Sequence, residues 1–481
     1  MPRFPQADAL SEIENKPPRQ PTSMAHTEAF VPPRPPPSGL LEHARRTVAL
    51  AVPVMCARLG ILLLVAVDTA MTGQFGAVAL AHYGLAMALH VPMLLVGIGL
   101  LMGTVVLTAQ AEGAGRSSET GKVWRAALLH GSAYGIALGL LCIPGQWYLS
   151  LAGQEPSLAT GAGDVLIIFG WGLPGMFLYT ATVFFLEGIN RAVPGMIIMI
   201  AANLLNLLLN WLMIFGHGGF SPMGADGAAI ATSLVRWFMF FSAAGYVLLC
   251  IDRDRYGIRG TLAGARALGK TFRRIGYPMG LAHGMETSAF SAMTLFAGLL
   301  GAVQVAGYMV AMNLIALAFM CALGFATAAS VRVGNAVGRN DRHNVRVAGW
   351  MAVGLAAAFL SCIGAVFFVA PEWLTAIYTS DAPVAAVAVP TVLVAAFVLV
   401  PDGVQGVLMG ALRGAADVWP ATLLYFIAFW LVMIPSGYYL GVVRGGGAPA
   451  LMTAVLIGTS VAVVLLAIRF RKITKAAPKR V

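Results

Sequence analysis

Charge is what this sequence has least of. Only 11% of its 481 residues are Asp, Glu, Lys or Arg, and 59% are apolar, where a soluble domain carries about 25% and 45–50%. That scarcity excludes a water-soluble globule, a charged coiled coil and a disordered chain, and leaves a polytopic membrane protein. Cysteine is sparse as well. Cys56, Cys142, Cys250, Cys321 and Cys362 stand in apolar stretches without CxxC spacing, which excludes a disulfide framework and a zinc site. The eight histidines show no ligand spacing, and none accompanies a Ser or Cys in a nucleophile pattern. The chain is therefore read as a non-enzyme without a cofactor. A basic-then-apolar leader with a cleavage site is missing too. Residues 1–40 instead hold ten of the 26 prolines, a composition that cannot bury enough apolar surface to fold. Residues 1–44 are assigned to a disordered tail, with Met24 a second candidate start.

Long apolar runs are present in abundance. A membrane span needs about 20 apolar residues, and twelve such runs fit, at 47–72, 83–110, 123–144, 163–187, 193–215, 227–251, 275–299, 304–331, 347–370, 384–411, 421–442 and 448–469. Barrel strands are excluded because they alternate over about ten residues. The net charge of +11, which in a soluble chain suggests nucleic acid, here reports topology. The tail, the even-numbered loops and the C-terminus hold every one of the 31 Lys and Arg except Arg58, Arg236 and Arg444. By the positive-inside rule both termini are cytoplasmic and the span number is even. Such a chain meets a lipid bilayer, not nucleic acid.

The sequence also repeats. A shift of 225 residues sets GQFGAVALAHYGLAM (73–87) on GLLGAVQVAGYMVAM (298–312), and it pairs Pro53 with Pro278, Gly99 with Gly324 and Gly113 with Gly338. A shift of 226 sets LEGINRAVP (186–194) on LRGAADVWP (412–420). Six spans per half is an even number, so both halves cross in the same sense, as in transporters that rock two bundles around a central site. The fold class is all-α: twelve transmembrane helices in two pseudo-twofold-related six-helix bundles. The bundles run over 45–252 and 275–470, with a basic cytoplasmic linker at 253–274 and a basic tail at 471–481.

Ionisable groups at mid-membrane are expensive and each needs a reason. Three acids lie deep in spans: Asp68, Glu286 and Asp402. Counting about 1.5 Å per helical residue, Glu286 sits roughly 18 Å beyond Arg274 and Asp402 roughly 16 Å before Arg413, both near the midplane. Asp68 lies toward the outer end of span 1. The repeat equivalents of Glu286, Asp402 and Asp68 are Ile61, Met176 and Met293, so the acids are not scaffold required by both halves. A buried carboxylate can carry a proton or hold a sodium ion, which makes all three candidate Na+ sites. Asn203, Asn206 and Asn210 form a stripe on span 5, able to offer oxygens to a cation or hydrogen bonds to Asp68. Pro53, Pro278 and Pro401 interrupt spans and are hinge candidates; Pro401 immediately precedes an acid. Arg58 and Arg236 lie within spans with no partner apparent.

VDTAMTGQFG (67–76), LEGINRAVPGMIIMIAANLLNLLLNW (186–211), GADGAAIATSLVRW (224–237), METSAF (285–290) and PDGVQGVLMGALRGAADVWPA (401–421) together resemble the multidrug and toxic compound extrusion (MATE) family. Glu286 and Asp402 direct the resemblance to its NorM-type bacterial branch. The resemblance implies two V-shaped bundles around a cavity that opens alternately to either side, and export of cationic, amphipathic small molecules in exchange for Na+ or H+. It implies cation-binding and coupling roles for Asp68, Asn206, Asn210, Thr232, Glu286 and Asp402. The NorM type often has a Tyr one turn before the span-10 acid, where this chain has Val398. A monomer in the bacterial inner membrane follows from the same likeness. A flippase of the same superfamily, moving a lipid-linked saccharide or peptidoglycan precursor, is the alternative; it needs a strongly basic cavity, and only Arg58 and Arg236 are available inside spans.

Overall fold

The computed structural model describes residues 39–475, so most of the Pro-rich segment and the last six residues lie outside the described part. Helix is the only regular structure among the described residues, as expected where lipid cannot satisfy open backbone groups. The helices are α1 (Leu40–Phe75), α2 (Ala77–Leu101) continued by α3 (Gly103–Gly113), α4 (Ser117–Cys142), the short α5 (Gly145–Leu151), α6 (Pro156–Gly188), α7 (Val193–Met213) and α8 (Ala225–Cys250). After α9 (Leu262–Ala267) come α10 (Gly269–Leu299), α11 (Ala302–Gly338), α12 (Arg342–Val369), α13 (Pro371–Ala376) and α14 (Ala382–Gly414). The last two spans are α15 (Val418–Phe426), which runs through α16 (Ile434–Gly437) to Val443, and α17 (Gly447–Lys475).

Eleven of these stretches are long and apolar enough to cross a membrane. The twelfth span read from the sequence, 275–299, lies within α10, a 31-residue helix. It misses the apolarity of the others because it carries His283, Glu286, Thr287 and Ser288 within two turns. Large apolar side chains face outward, among them Leu249, Leu295 and Val369, exposed at 79%, 71% and 80%, the surface a bilayer solvates. Three boundaries differ from the sequence reading. Residues 40–44, given there to the tail, form the first turn of α1. Arg332 and Arg413, given to loops, lie inside α11 and α14 and are buried. The linker is not loose: Arg125 Nη1 donates to the carbonyls of Gly257 and Ile258 at 2.8 and 2.6 Å.

The repeat is written into the backbone. Left-handed residues end equivalent helices: Gly115 (φ 73°) after α3 and Asn340 (φ 59°) after α11, then Asn190 (φ 61°) after α6 and Ala416 (φ 58°) after α14. Ala in that conformation costs roughly 1–2 kcal/mol, so the turn is imposed by the fold. α6 packs on α2, α4 and α8, and its equivalent α14 packs on α11, α12 and α17. Close contacts between the halves obey the same symmetry. A Cβ on Gly113 would stand 2.1 Å from the carbonyl oxygen of Asn335, and one on Gly338 2.2 Å from that of Gln110; Gln110 and Asn335 are themselves 225 apart. Gly99 meets Met279 and Gly280 of α10, while Gly324 meets Ala51 and Met55 of α1. These glycines bring the halves together toward the end that the charge distribution assigns to the cytoplasm.

One span departs from α-geometry. Ile427–Met433 and Tyr438–Val443 are π-helical on either side of Pro435. Proline cannot donate to the carbonyl four residues back, and the register widens to i→i+5 around it.

Candidate functional site

In the N-terminal half, four helices converge on one carboxylate. Asp68 on α1 is 1% exposed. Its Oδ1 accepts from Asn206 Nδ2 at 3.0 Å and Asn210 Nδ2 at 2.6 Å; its Oδ2 accepts from Thr232 Oγ1 at 2.5 Å and the Tyr83 hydroxyl at 3.4 Å. Asn206 and Asn210 stand one turn apart on α7, so both amides reach the same oxygen. Asn210 Nδ2 also donates to Asn206 Oδ1 at 3.2 Å, while Asn210 Oδ1 has no partner among the described residues. Asn203 stays on this face but about 4.5 Å beyond Asn206 by helical rise, and donates to Gly60 and Met199 carbonyls instead. The sequence reading thus placed Asp68, Asn206, Asn210 and Thr232 together, as the structure does, and missed Tyr83.

A cavity of about 520 Å³ lies beside this cluster, walled by both halves. Asp68, Thr232 and Arg236 line it on one side, His283, Glu286 and Arg413 on the other, and most of the remaining wall is apolar. Arg236, without a partner in the sequence reading, bonds His90 Nε2 at 2.9 Å and lies 5.4 Å from the centre of the Phe169 ring. His90 stacks on that same ring at 4.8 Å. Arg58 lines the cavity as well, with Nη2 3.7 Å from Oε1 of Glu187. Glu187 is 1% exposed; the sequence reading passed over it because it fell on the last residue of span 4.

The C-terminal acids are held more sparsely. Glu286 accepts one hydrogen bond, from Gln405 Nε2 at 3.0 Å, and stands 3.7 Å from His283 Nδ1. Asp402 lies one turn before Gln405 on α14, 3% exposed and behind the cavity wall. Asp402 Oδ1 and Gln405 Oε1 have no hydrogen-bond partner among the described residues. Gln405, bonded to Glu286 and one turn from Asp402 on α14, thus stands between the two acids, and no sequence signal distinguished it from other amides. Pro53, Pro278 and Pro401 lie inside α1, α10 and α14, each helix continuing through its proline. The Pro278 carbonyl accepts from Thr422 Oγ1 at 2.9 Å. Among the described residues no three His, Cys, Asp or Glu side chains gather as a metal cluster. A cation here would meet single carboxylates supplemented by amide and hydroxyl oxygens, donors that suit Na+.

Known proteins share this sequence family and fold. The MatE family profile matches residues 53–212 and 278–439, two stretches that start 225 residues apart. The chain is 34% identical over 423 residues to the probable multidrug resistance protein NorM of Caulobacter vibrioides, covering 88% of this chain and 90% of that protein. It is 30% identical to the multidrug resistance protein MdtK of Yersinia pseudotuberculosis over 440 residues, 90% of this chain and 96% of the other. The crystal structure of the eukaryotic MATE transporter AtDTX14 superimposes with a TM-score of 0.83 at 20% identity, covering 91% of this chain and 98% of that one.

Proposed function

Because this chain belongs to the MatE family of multidrug transporters, we propose that it exports amphipathic organic cations across a bacterial inner membrane, against an inward flow of Na+ or H+. The observation that carries this reading is Asp68: a carboxylate removed from water, bonded by donors from α2, α7 and α8, on the wall of a largely apolar cavity. A buried charge so placed marks an ion pathway by default. The relatives give no support to the flippase alternative, and nothing in them calls for an enzyme.

In its ionised form Asp68 uses every donor around it. A proton would turn the carboxyl into a donor, and a flip of the Asn210 amide, whose Oδ1 has no partner to lose, would offer it an acceptor. Sodium would need oxygens, which Asn206, Asn210 and Thr232 supply once the amides rotate. Either ion rewrites the bonds tying α1 to α7 and α8, and so shifts the balance between two arrangements of the helices, provided it binds them unequally. Pro53, fifteen residues below Asp68, is the point where α1 would bend. In the C-terminal half Glu286 faces the cavity and attracts the substrate's positive charge, with Gln405 relaying its state to Asp402. We place both termini on the cytoplasmic side and take the working unit as a monomer.

Ethidium efflux in everted vesicles, with sodium and pH gradients imposed separately, tests the reading and identifies the ion. The Glu286→Gln, Asp402→Asn double variant should insert normally and lose efflux. Undiminished efflux in that variant would remove the C-terminal acids from the mechanism.

A further inference from the structure

A second cavity, of about 650 Å³, lies at the end of the spans assigned to the cytoplasm. It is built from both halves: α1, α3, α7 and α8 on one side, α11 and α12 on the other. Nothing in the transport reading uses it. Its polar wall is basic, with Arg191, Arg332 and Arg339 beside the amides of Asn335 and Asn344. The acid in the wall, Glu112, already faces Arg255 at 3.7 Å and accepts from Ser117 at 2.7 Å. Arg332 is anchored, donating to the His43 carbonyl at 2.7 Å and bonding His43 Nδ1 at 2.6 Å. Neither Arg191 nor Arg339 forms an ion pair with a described carboxylate, and Arg339 Nε is buried without a hydrogen-bond partner among the described residues.

The internal repeat gives an independent control. The equivalents of Arg332 and Arg339 are Leu107 and Ala114, and that of Arg191 is Asp417, which pairs with Arg469 at 2.6 Å. None of the three arginines has a basic residue as its counterpart in the repeat, so they are not needed to build the fold. From this cavity an apolar strip leads along α7: Ile197 in the cavity wall, then Ile200 and Leu204, exposed at 58%, 54% and 67%. Spacings of three and four residues put them on one helical face.

We propose that this cavity binds an anionic diacyl phospholipid of the cytoplasmic leaflet, its phosphate on Arg191 and Arg339 and an acyl chain along Ile197, Ile200 and Leu204. A basic pocket between spans at headgroup depth, continued by a greasy groove, fits an anionic amphiphile in both parts. Because the cavity is shared by the two halves, the lipid favours the arrangement in which Gly113 meets Asn335 and Gly338 meets Gln110 across the interface. The inference rests on the membrane reading but not on the substrate or ion, and binding is read without transport.

The full-length chain, delipidated in detergent, is titrated with dioleoylphosphatidylglycerol, dioleoylphosphatidylcholine or inorganic phosphate, with native mass spectrometry and thermal unfolding as readouts. Phosphatidylglycerol should give a one-lipid adduct and raise the unfolding temperature, and Arg191→Gln with Arg339→Gln should weaken that binding roughly 30-fold, about tenfold per 1.4 kcal/mol and near 1 kcal/mol per charge. Arg191→Gln alone, at an exposed position, should weaken it roughly fivefold and serves if the double variant does not fold. Equal retention by the variants, equal binding of phosphatidylcholine, or displacement of the lipid by equimolar inorganic phosphate would each overturn the proposal.

Discussion

The two halves of the molecule are alike where they pack and unlike where they carry charge. Gly113 on Asn335 and Gly338 on Gln110 are one contact made twice, and the left-handed turns recur at matching positions. The acids do not recur. Asp68 has Met293 as its equivalent, fully buried, and Asp402 has Met176, 4% exposed. Their surroundings differ as much as their positions. Asp68 is saturated by four donors, whereas Glu286 accepts one bond and Asp402 Oδ1 none. A common scaffold thus carries one site whose bonds are complete without a ligand and one that leaves bonding capacity unspent. We read the first as the ion site and the second as the side on which substrate charge is met.

The largest expected effect comes from breaking the saturated site. Asp68→Asn removes the charge and turns an amide N–H₂ toward two asparagines already committed as donors. Each charge-assisted bond lost is worth about 1.5–3 kcal/mol, so ion-driven efflux should fall by ~100-fold or more. Unchanged drug binding, measured by equilibrium fluorescence polarisation, would show that Asp68 couples and does not hold the drug. Glu286→Gln should act the other way, weakening drug affinity by ~10-fold, about the worth of one charged contact, with the ion dependence of the remaining efflux intact. If both substitutions moved affinity and coupling alike, the division between the halves would be wrong.

Next come the alike parts. Gly113→Ala and Gly338→Ala each force a methyl into backbone at the interface between halves, and overpacking costs about 1–3 kcal/mol. The two variants should lose equal thermal stability within error. A clear inequality would mean that the pseudo-symmetry of the backbone does not extend to its energetics.

The spans, the repeat and the deep acids were legible in the sequence because lipid makes every intramembrane charge conspicuous. The partners of Asp68 were legible for the same reason: amides one turn apart on an apolar helix stand out. Gln405, Tyr83 and His90 were not, since a lone Gln, Tyr or His in an apolar run carries no spacing signal until another helix is set against it. Helix lengths misled in one direction. α11 and α14 run to 37 and 33 residues, well past the roughly 20 that cross the core. Arginines near their ends, Arg332 and Arg413, therefore became buried structure in place of loop. The π-geometry around Pro435 follows from one missing N–H, which sequence shows, but whether the helix bends or widens there is decided by its neighbours.

The smallest predicted effect separates the halves at a residue they share. Tyr83 and Tyr308 are repeat equivalents, 2% and 0% exposed. Tyr83 spends its hydroxyl on Asp68 at a long 3.4 Å and sets its ring edge-on to Phe169 at 5.9 Å. The Tyr308 hydroxyl has no partner among the described residues. Tyr83→Phe keeps the ring contact and leaves Asp68 three donors, so efflux should drop no more than about threefold, a loss of under 1 kcal/mol for one weak bond. Tyr308→Phe removes a buried polar group whose burial costs about 1–3 kcal/mol when unsatisfied, and should raise thermal stability with efflux unchanged. A small loss of efflux at one site and a gain of stability at its equivalent are what a saturated half and an unsaturated half require; a loss of stability on Tyr308→Phe would show that its hydroxyl has a partner and that the contrast between the halves is narrower than their acids suggest.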